Sequence, residues 1–233
     1  MKILVIVAKW LFIFCLPILL LTASIGWAVN SHWLYKYGFE KYDVSQTTGL
    51  AEMELEKAAT ELISYFNSGG ANIRLTVIKD SEPFELFNQR EVIHLRDVKG
   101  LIRLDYWVLL GTLIYALAYA GVSLFWQRKR YWRRLAWAVV GGGGITLVLM
   151  LALGLGTLFN FDQLFLQFHL FSFTNELWQL DPARDYLIML FPGGFWYDAA
   201  IFCVVATVGL AIILGGVAGG YLLFTRRRVT STF

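Results

Sequence analysis

Histidine is the side chain in this sequence best suited to acid/base chemistry, because an unperturbed imidazole titrates near neutral pH. His94 and Asp97 lie three residues apart in REVIHLRDVKGL, so on a helix the two side chains share one face. A carboxylate beside an imidazole fixes its tautomer and stabilises the protonated form. The same spacing also fits a solvated helix face, since Arg96, Lys99 and Arg103 lie nearby.

A second histidine, His169, lies among phenylalanines in FLQFHLFSFTNELW. A polar ring in such surroundings needs a hydrogen-bond partner, which a backbone carbonyl in a protein core could supply. Ionisable side chains in or near a membrane are costly and often functional, so a catalytic role is the competing interpretation. The third histidine, His32, stands beside Trp33 and is predicted to be interfacial rather than catalytic.

Motifs for other kinds of catalysis are absent from the sequence. It contains no H-E-x-x-H, no G-x-S-x-G and no phosphate-binding loop. Cys15 and Cys203 both fall in apolar runs, so neither a disulfide framework nor an exposed thiol nucleophile is predicted. The glycines of GGGG (141–144) also lie in an apolar run, where small residues allow helices to pack closely.

Hydropathy predicts a membrane protein. The chain is 58% hydrophobic with a mean hydropathy of +0.58, and four apolar runs reach the roughly 20 residues that cross a bilayer. The first run exceeds the hydrophobic region of a signal peptide and contains Lys9 and Pro17, so we expect an uncleaved anchor. The predicted transmembrane helices cover 1–29, 106–126, 135–158 and 199–224.

The basic clusters predict the orientation of these spans. QRKRYWRR (127–134) joins the second and third spans, and TRRR begins the tail at 225–233. The positive-inside rule places this loop, the tail and Lys2 in the cytoplasm, so both termini are cytoplasmic. The segments 30–105 and 159–198 then face outward. The arginines explain the net charge of +3 without nucleic-acid binding, for which no motif is present.

The two outer segments differ in composition. Segment 30–105 predicts an amphipathic helix from Thr48 to about Gly69, two short strands in NIRLTVI and FELF, and a helix opened by the capping box NQRE. In segment 159–198, Asp162 and Asp181 are predicted to cap helices that lie in the membrane interface. The expected fold is a mainly α membrane protein, with four transmembrane helices, a small α/β extracytoplasmic domain and interfacial helices.

Three stretches together resemble the lipoprotein intramolecular transacylase (Lit) family of bacterial integral membrane proteins. They are YGFEKYDVSQTTGL after the first span, REVIHLRDVKGL before the second, and FHLFSFTNELWQLDPARDYLIMLFPGGFW before the fourth. The resemblance covers nearly all of the outer segments, in the order expected for the family. The transmembrane segments match only in number and hydrophobicity.

The resemblance implies a reaction on a diacylglyceryl-modified bacterial lipoprotein. The sn-2 acyl chain would move from the glycerol oxygen to the α-amine of the N-terminal cysteine, which gives the lyso form. The site would lie on the outer face of the bacterial cytoplasmic membrane, among membrane lipids. No cofactor and no metal are implied.

This reaction needs little beyond a base, an acid and positioning, because the nucleophile and the ester belong to one molecule. We therefore expect His94, oriented by Asp97, and His169 to form the acid/base pair, with the assignment of base and acid left open. Four further side chains are candidates to place polar atoms of the substrate or the developing oxyanion: Lys99, Arg103, Asn175 and Trp178.

Two other functions remain open from the sequence. A membrane scaffold or lipid- or lipoprotein-binding protein would tolerate replacement of both histidines. A zinc-dependent membrane hydrolase could use His94, Asp97 and His169 as ligands. The paired-glutamate motif of intramembrane prenyl-protein-type proteases is absent, however. The oligomeric state is open as well.

Overall fold

The computed structural model describes residues 2–126 and 130–230. Parts of the predicted basic loop (127–129) and of the tail (231–233), together with Met1, lie outside the described residues. A single π-helical turn, Val122–Trp126, follows the fifth helix. The regular elements, in chain order, are α1 (Lys2–Val29), α2 (His32–Lys41), α3 (Val44–Thr48), α4 (Glu52–Asn67), β1 (Thr76–Lys79), β2 (Glu82–Glu85), α5 (Gln89–Gly121), α6 (Arg130–Ser172), α7 (Tyr186–Leu190) and α8 (Gly193–Thr230).

Four of these helices are long and apolar enough to cross a membrane, in agreement with the number of spans predicted from the sequence. They comprise Ile3–Val29, Gln89–Phe125, Trp132–Ser172 and Gly193–Arg226. Three are longer than a bilayer requires, because each also contains residues outside its apolar run. In α5 the stretch 90–105, which contains the charged residues of the helix, precedes the apolar run that begins at 106. The chain is therefore a multi-pass membrane protein.

One of two compact units contains most of the apolar helical length. It comprises Met1–Ile25, Asp105–Leu155 and Cys203–Phe233. Gly142 lies so close to α1 that an added Cβ would come within 2.9 Å of Leu16, as the predicted packing role of the glycine run requires. Thr207 donates a buried hydrogen bond of 2.9 Å to the hydroxyl oxygen of Ser24.

The other compact unit comprises Gly26–Leu104 and Gly156–Phe202. Its core includes the predicted apolar stripe of α4, in which Leu55, Leu62 and Phe66 are buried. Strands β1 and β2 form an antiparallel hairpin with Val77 opposite Phe84. Two strands are the only sheet among the described residues, so the α/β character of this unit is slight.

The interfacial segments differ in detail from the prediction. Helix α6 breaks at Asn160 (φ −156°, ψ 61°), and the Asn160 side chain accepts a hydrogen bond from the backbone N–H of Gln163, so the cap lies at Asn160 rather than at Asp162. Asp181 caps only a turn, through the N–H of Ala183, and α7 begins later. The predicted caps are thus displaced from the observed ones, by two residues at Asn160 and by four residues at Asp185.

Gly194 at the start of α8 is required by close packing against Tyr42. An added Cβ would lie 2.4 Å from the Tyr42 ring, which is held in place by a hydrogen bond of 2.8 Å from its hydroxyl to Asp198. We expect Gly194→Ala to destabilise the protein by about 1–3 kcal/mol through overpacking, seen as a lower melting temperature in detergent. Gly193→Ala is the matched control, because its Cβ would meet no atom within 4 Å. Equal melting temperatures for the two variants would contradict this.

Candidate functional site

His94 lies in the first part of α5, ahead of the apolar run. The predicted capping box opens this helix: the Asn88 side chain accepts from the N–H of Arg90 and Glu91, and Glu91 accepts from the N–H of Asn88 at 2.8 Å. One turn later the His94 side chain is buried, with 6% of its surface exposed. Its Nδ1 is buried and has no hydrogen-bond partner among the described residues. Such an orphan polar atom is costly and requires an explanation.

His169 lies on the part of α6 that follows the break at Asn160, where the side chain is also buried. Its Nδ1 is 2.8 Å from the backbone oxygen of Phe165, one turn earlier. A carbonyl oxygen only accepts, so Nδ1 carries the proton and Nε2 of the neutral ring has the free lone pair. The hydrogen bond from His169 to a backbone carbonyl, which was one interpretation of the sequence, is therefore present. It leaves Nε2 of His169 available as a base.

The two imidazoles are neighbours. Their ring centroids are 6.3 Å apart, with the planes inclined by 27°. Phe173 packs on both rings, at 5.0 Å from His94 and 5.5 Å from His169. Further aromatic rings surround His169, at centroid distances between 4.4 and 5.3 Å: Phe165, Phe168 and Trp178.

Burial keeps both imidazoles neutral. Burial, with a smaller contribution from the neighbouring His169, lowers the pKa of His94 from near 6.5 to about 4, and the charge of Asp97 opposes the change. Burial also lowers the pKa of His169, against the hydrogen bond to Phe165, which raises it. At pH 7 the site therefore offers two uncharged imidazoles to a substrate.

Asp97 makes a different contact from the one expected. Its carboxylate accepts a hydrogen bond of 2.9 Å from the side-chain amide of Asn175, while Nδ1 of His94 has no partner in the part of the chain that the structure describes. Asp97 thus acts on His94 through charge and not through a hydrogen bond that fixes a tautomer. The contact brings together two of the supporting residues suggested by the sequence, 78 residues apart.

Lys99 and Arg103 are engaged with the end of α4. The buried Lys99 ammonium donates to the backbone oxygens of Tyr65 and Gly70 and to the Ser68 hydroxyl, and it lies 3.9 Å from the centroid of the Tyr65 ring. Burial lowers the pKa of Lys99. Arg103 is exposed and donates to the backbone oxygen of Ser68. Both side chains therefore tie α5 to the α4 terminus.

Two residues that the sequence did not suggest connect α5 to the segment after α6. Arg90 donates to the backbone oxygens of Glu176 and Gln179, at 2.9 and 2.7 Å. Glu91, only 1% exposed, accepts from the N–H of Leu187 at 2.6 Å. The capping box placed Glu91 at the helix start, but nothing in the sequence indicated its second partner. Among the described residues, no three histidine, cysteine or acidic side chains converge to hold a metal ion.

Comparison with known proteins connects this geometry to a family. A solved structure of the membrane integral lipoprotein intramolecular transacylase Lit from Bacillus cereus has a TM-score of 0.78 at 18% identity, covering 98% of this chain and 100% of that one. A variant of the Bacillus protein with one histidine changed to arginine has a TM-score of 0.74 at 20% identity, covering 96% and 93%. The TM-scores show a shared fold, and at these low identities the two structures show the fold alone.

Sequence comparison gives two further matches. An uncharacterised protein of Aquifex aeolicus (strain VF5) is 27% identical over 135 residues, which span 57% of this chain and 57% of that relative's length. The model of the family described as lipoprotein intramolecular transacylase Lit matches residues 10–196, most of the chain and all of the site. On this match, the chain belongs to the Lit family of membrane lipoprotein transacylases.

Proposed function

We propose that the protein transfers the sn-2 acyl chain of a diacylglyceryl-modified lipoprotein to the α-amine of its N-terminal cysteine. The observation that carries the proposal is the pair of buried, neutral imidazoles with ring centroids 6.3 Å apart. At that spacing a single small reacting group could contact both rings. The family match supports a lipoprotein as the substrate class.

The proton balance of the reaction suits this pair. As the amine nitrogen bonds to the ester carbonyl carbon, Nε2 of His169 takes the proton that the nitrogen loses. The proton then goes to the glycerol oxygen as the ester C–O bond breaks, so the step from the neutral amine neither consumes nor releases a proton. His94 supplies the second imidazole, which hydrogen-bonds the departing oxygen. No protein nucleophile is needed, since amine and ester belong to one substrate.

The surroundings suit the lipid part of the substrate. Phe168, which packs against His169, is 51% exposed, and Phe171, two residues after His169 in the chain, is 94% exposed; exposed aromatic rings of this kind suit acyl chains better than water. Positioning of two groups of one molecule supplies up to about 7–11 kcal/mol of catalysis in favourable cases. We infer that the aromatic rings hold the acyl chains while the imidazoles meet the ester and the amine.

The proposed orientation follows from the basic residues. Both termini and the loop 127–134 face the cytoplasm, while 30–105 and 159–198, with both histidines, face outward. This arrangement brings the site to the leaflet in which an exported lipoprotein is anchored. A cysteine introduced at the exposed position Glu61 should react with a membrane-impermeant maleimide in intact cells. Protection of that cysteine would contradict the orientation.

Mass spectrometry of the substrate tests the proposed function. Purified protein is incubated with a synthetic diacylglyceryl lipopeptide whose α-amine is free, and the product is fragmented. We expect an isomer of unchanged mass in which one acyl chain has moved from glycerol to nitrogen. Release of free fatty acid would indicate a hydrolase, and unchanged substrate would leave a binding protein as the function.

The depressed pKa values predict a pH profile. Burial lowers the pKa of both imidazoles below the usual 6.5, so the ionisation that controls kcat/KM from pH 6.5 upward is that of the substrate amine, with a pKa of about 7.7–8.0. We expect log kcat/KM to rise with a slope near one from pH 6.5 to 7.5 and then to level off. Initial rates on the lipopeptide measure this. A slope that steepens to two as the pH falls through 6.5 would show an ordinary histidine pKa and contradict the geometry.

A further inference from the structure

The segment after α6 owes its shape to contacts with α5. Between the end of α6 at Ser172 and the start of α7 at Tyr186 the chain has no regular secondary structure. Trp178, in the middle of this segment, packs with its ring centroid 4.9 Å from that of His169. The placement of one wall of the site therefore depends on whatever fixes residues 173–187.

Two carboxylates on one face of α5 hold the two ends of this segment. Glu91, His94 and Asp97 follow one another at intervals of three residues, so they lie on the same helix face. Asp97 binds the amide of Asn175, and Glu91 binds the N–H of Leu187. His94 is thus flanked by the two anchors, one turn away on each side.

Glu91 differs from an ordinary capping glutamate in its burial and in its use of both oxygens. One oxygen closes the capping box with the N–H of Asn88, and the other accepts from Leu187. A helix cap alone needs only the first contact, at a position that is usually solvated. Burying a carboxylate is costly unless its hydrogen bonds repay it, and both of its bonds are charge-assisted.

Neighbouring side chains reinforce the same connection. The Asn88 amide donates to Asp185 at 2.8 Å, and Asp185 in turn accepts from the N–H of Asp181 at 2.7 Å. Arg90 adds its two close bonds to the carbonyls of Glu176 and Gln179. The contacts of Asn88 and Arg90 join the start of α5 to the segment that contains Trp178, and the Asp181–Asp185 bond lies within that segment.

We propose that Glu91 is a positioning residue of the transacylase site, which acts through the segment 173–187 to hold Trp178 against His169. This role rests on the proposed function, because it concerns the same site. Glu91 does not touch the reacting atoms. Its contribution is to fix the wall against which the acyl ester and amine are aligned.

The test is Glu91→Gln, which preserves size but provides one acceptor oxygen where two N–H groups need one each. We expect kcat to fall by about ten- to a hundredfold, the effect of an ångström-scale misplacement, while KM for the lipopeptide changes less than threefold. The matched control is Glu176→Gln, at an exposed side chain on the same segment, which should retain wild-type kcat. Equal kcat for Glu91→Gln and the wild type would overturn the proposal.

Two measurements separate positioning from a purely structural role. Hydrogen exchange should accelerate at residues 176–187 in Glu91→Gln and stay unchanged in α4; faster exchange throughout would indicate general destabilisation and overturn the proposal. In combination with Trp178→Leu, the two losses in kcat should be less than multiplicative, because both changes act on one wall. Fully multiplicative losses would mean that Glu91 does not act through Trp178.

The design keeps the two proposals distinguishable. If the wild type moves no acyl chain, the proposed function fails, while hydrogen exchange still reports whether Glu91 holds the segment. If Glu91→Gln does not fold, Arg90→Gln at an exposed side chain releases the same segment and should lower kcat in the same direction. Wild-type kcat and exchange in Arg90→Gln would then overturn the proposal.

Discussion

Replacement of His169 by asparagine should reduce acyl transfer by about 10²–10⁴-fold, the usual contribution of a general acid/base. An asparagine amide can still donate to the Phe165 carbonyl, which binds Nδ1 in the wild type, but it has no basic nitrogen in place of Nε2. The variant should therefore fold and bind lipopeptide while kcat falls. Single-turnover acyl migration followed by mass spectrometry measures the loss.

The third histidine provides the control for this experiment. His32 is exposed on α2, and His32→Asn makes the same chemical change outside the aromatic site. Its rate should equal that of the wild type. Activity of His169→Asn within threefold of the wild type would remove His169 from the mechanism and favour a scaffold or binding protein.

Replacement of His94 by leucine should reduce the rate of acyl transfer as much as replacement of His169 does. It should nevertheless leave the protein at least as stable as the wild type. Within residues 2–126 and 130–230, the buried Nδ1 of His94 has no hydrogen-bond partner, and leaving such an atom unsatisfied costs about 1–3 kcal/mol. Leucine has a similar volume and no polar atom to satisfy. A site residue that lowers stability in this way is typical of catalytic machinery.

The same variant should lose a pH dependence of stability. The pKa of His94 is about 4 in the folded protein and near 6.5 in the unfolded chain, so between these values the unfolded state binds more protons. Wild-type stability should rise with pH across this window, and the rise should be smaller in His94→Leu. Melting temperatures in detergent from pH 4.5 to 7.5 measure both effects. A lower melting temperature for the variant at pH 7 would contradict the prediction.

These two predictions rest on a site in which imidazoles are dehydrated rather than charged. Aromatic rings surround His169, and Phe173 packs against both histidines; this burial removes hydration and holds the pKa of each imidazole below its usual value. A neutral base is present at physiological pH without any acidic partner in direct contact. Asp97 is consequently free to bind Asn175, which it does.

Local sequence patterns determined the elements of this protein. Hydropathy predicted four spans, because a helix of about 20 consecutive apolar residues is long enough to cross a bilayer whatever its neighbours in the fold. The capping box NQRE predicted the start of α5, since its hydrogen bonds join residues three apart. The apolar stripe of α4 followed from helical periodicity. Each of these features depends on neighbours in the chain, so the sequence alone is sufficient.

Tertiary structure decided which side chains meet. The sequence suggested His94 and His169 as a pair, but only the fold brings their ring centroids to 6.3 Å, with Phe173 packed on both rings. The partners of Asp97, Glu91 and Lys99 all lie far along the chain, at separations of 78, 96 and 34 residues for their contacts with Asn175, Leu187 and Tyr65. A long polar side chain bonds to whichever hydrogen-bonding group packs beside it. Which group that is depends on the packing of the whole fold, and so the local sequence does not determine it.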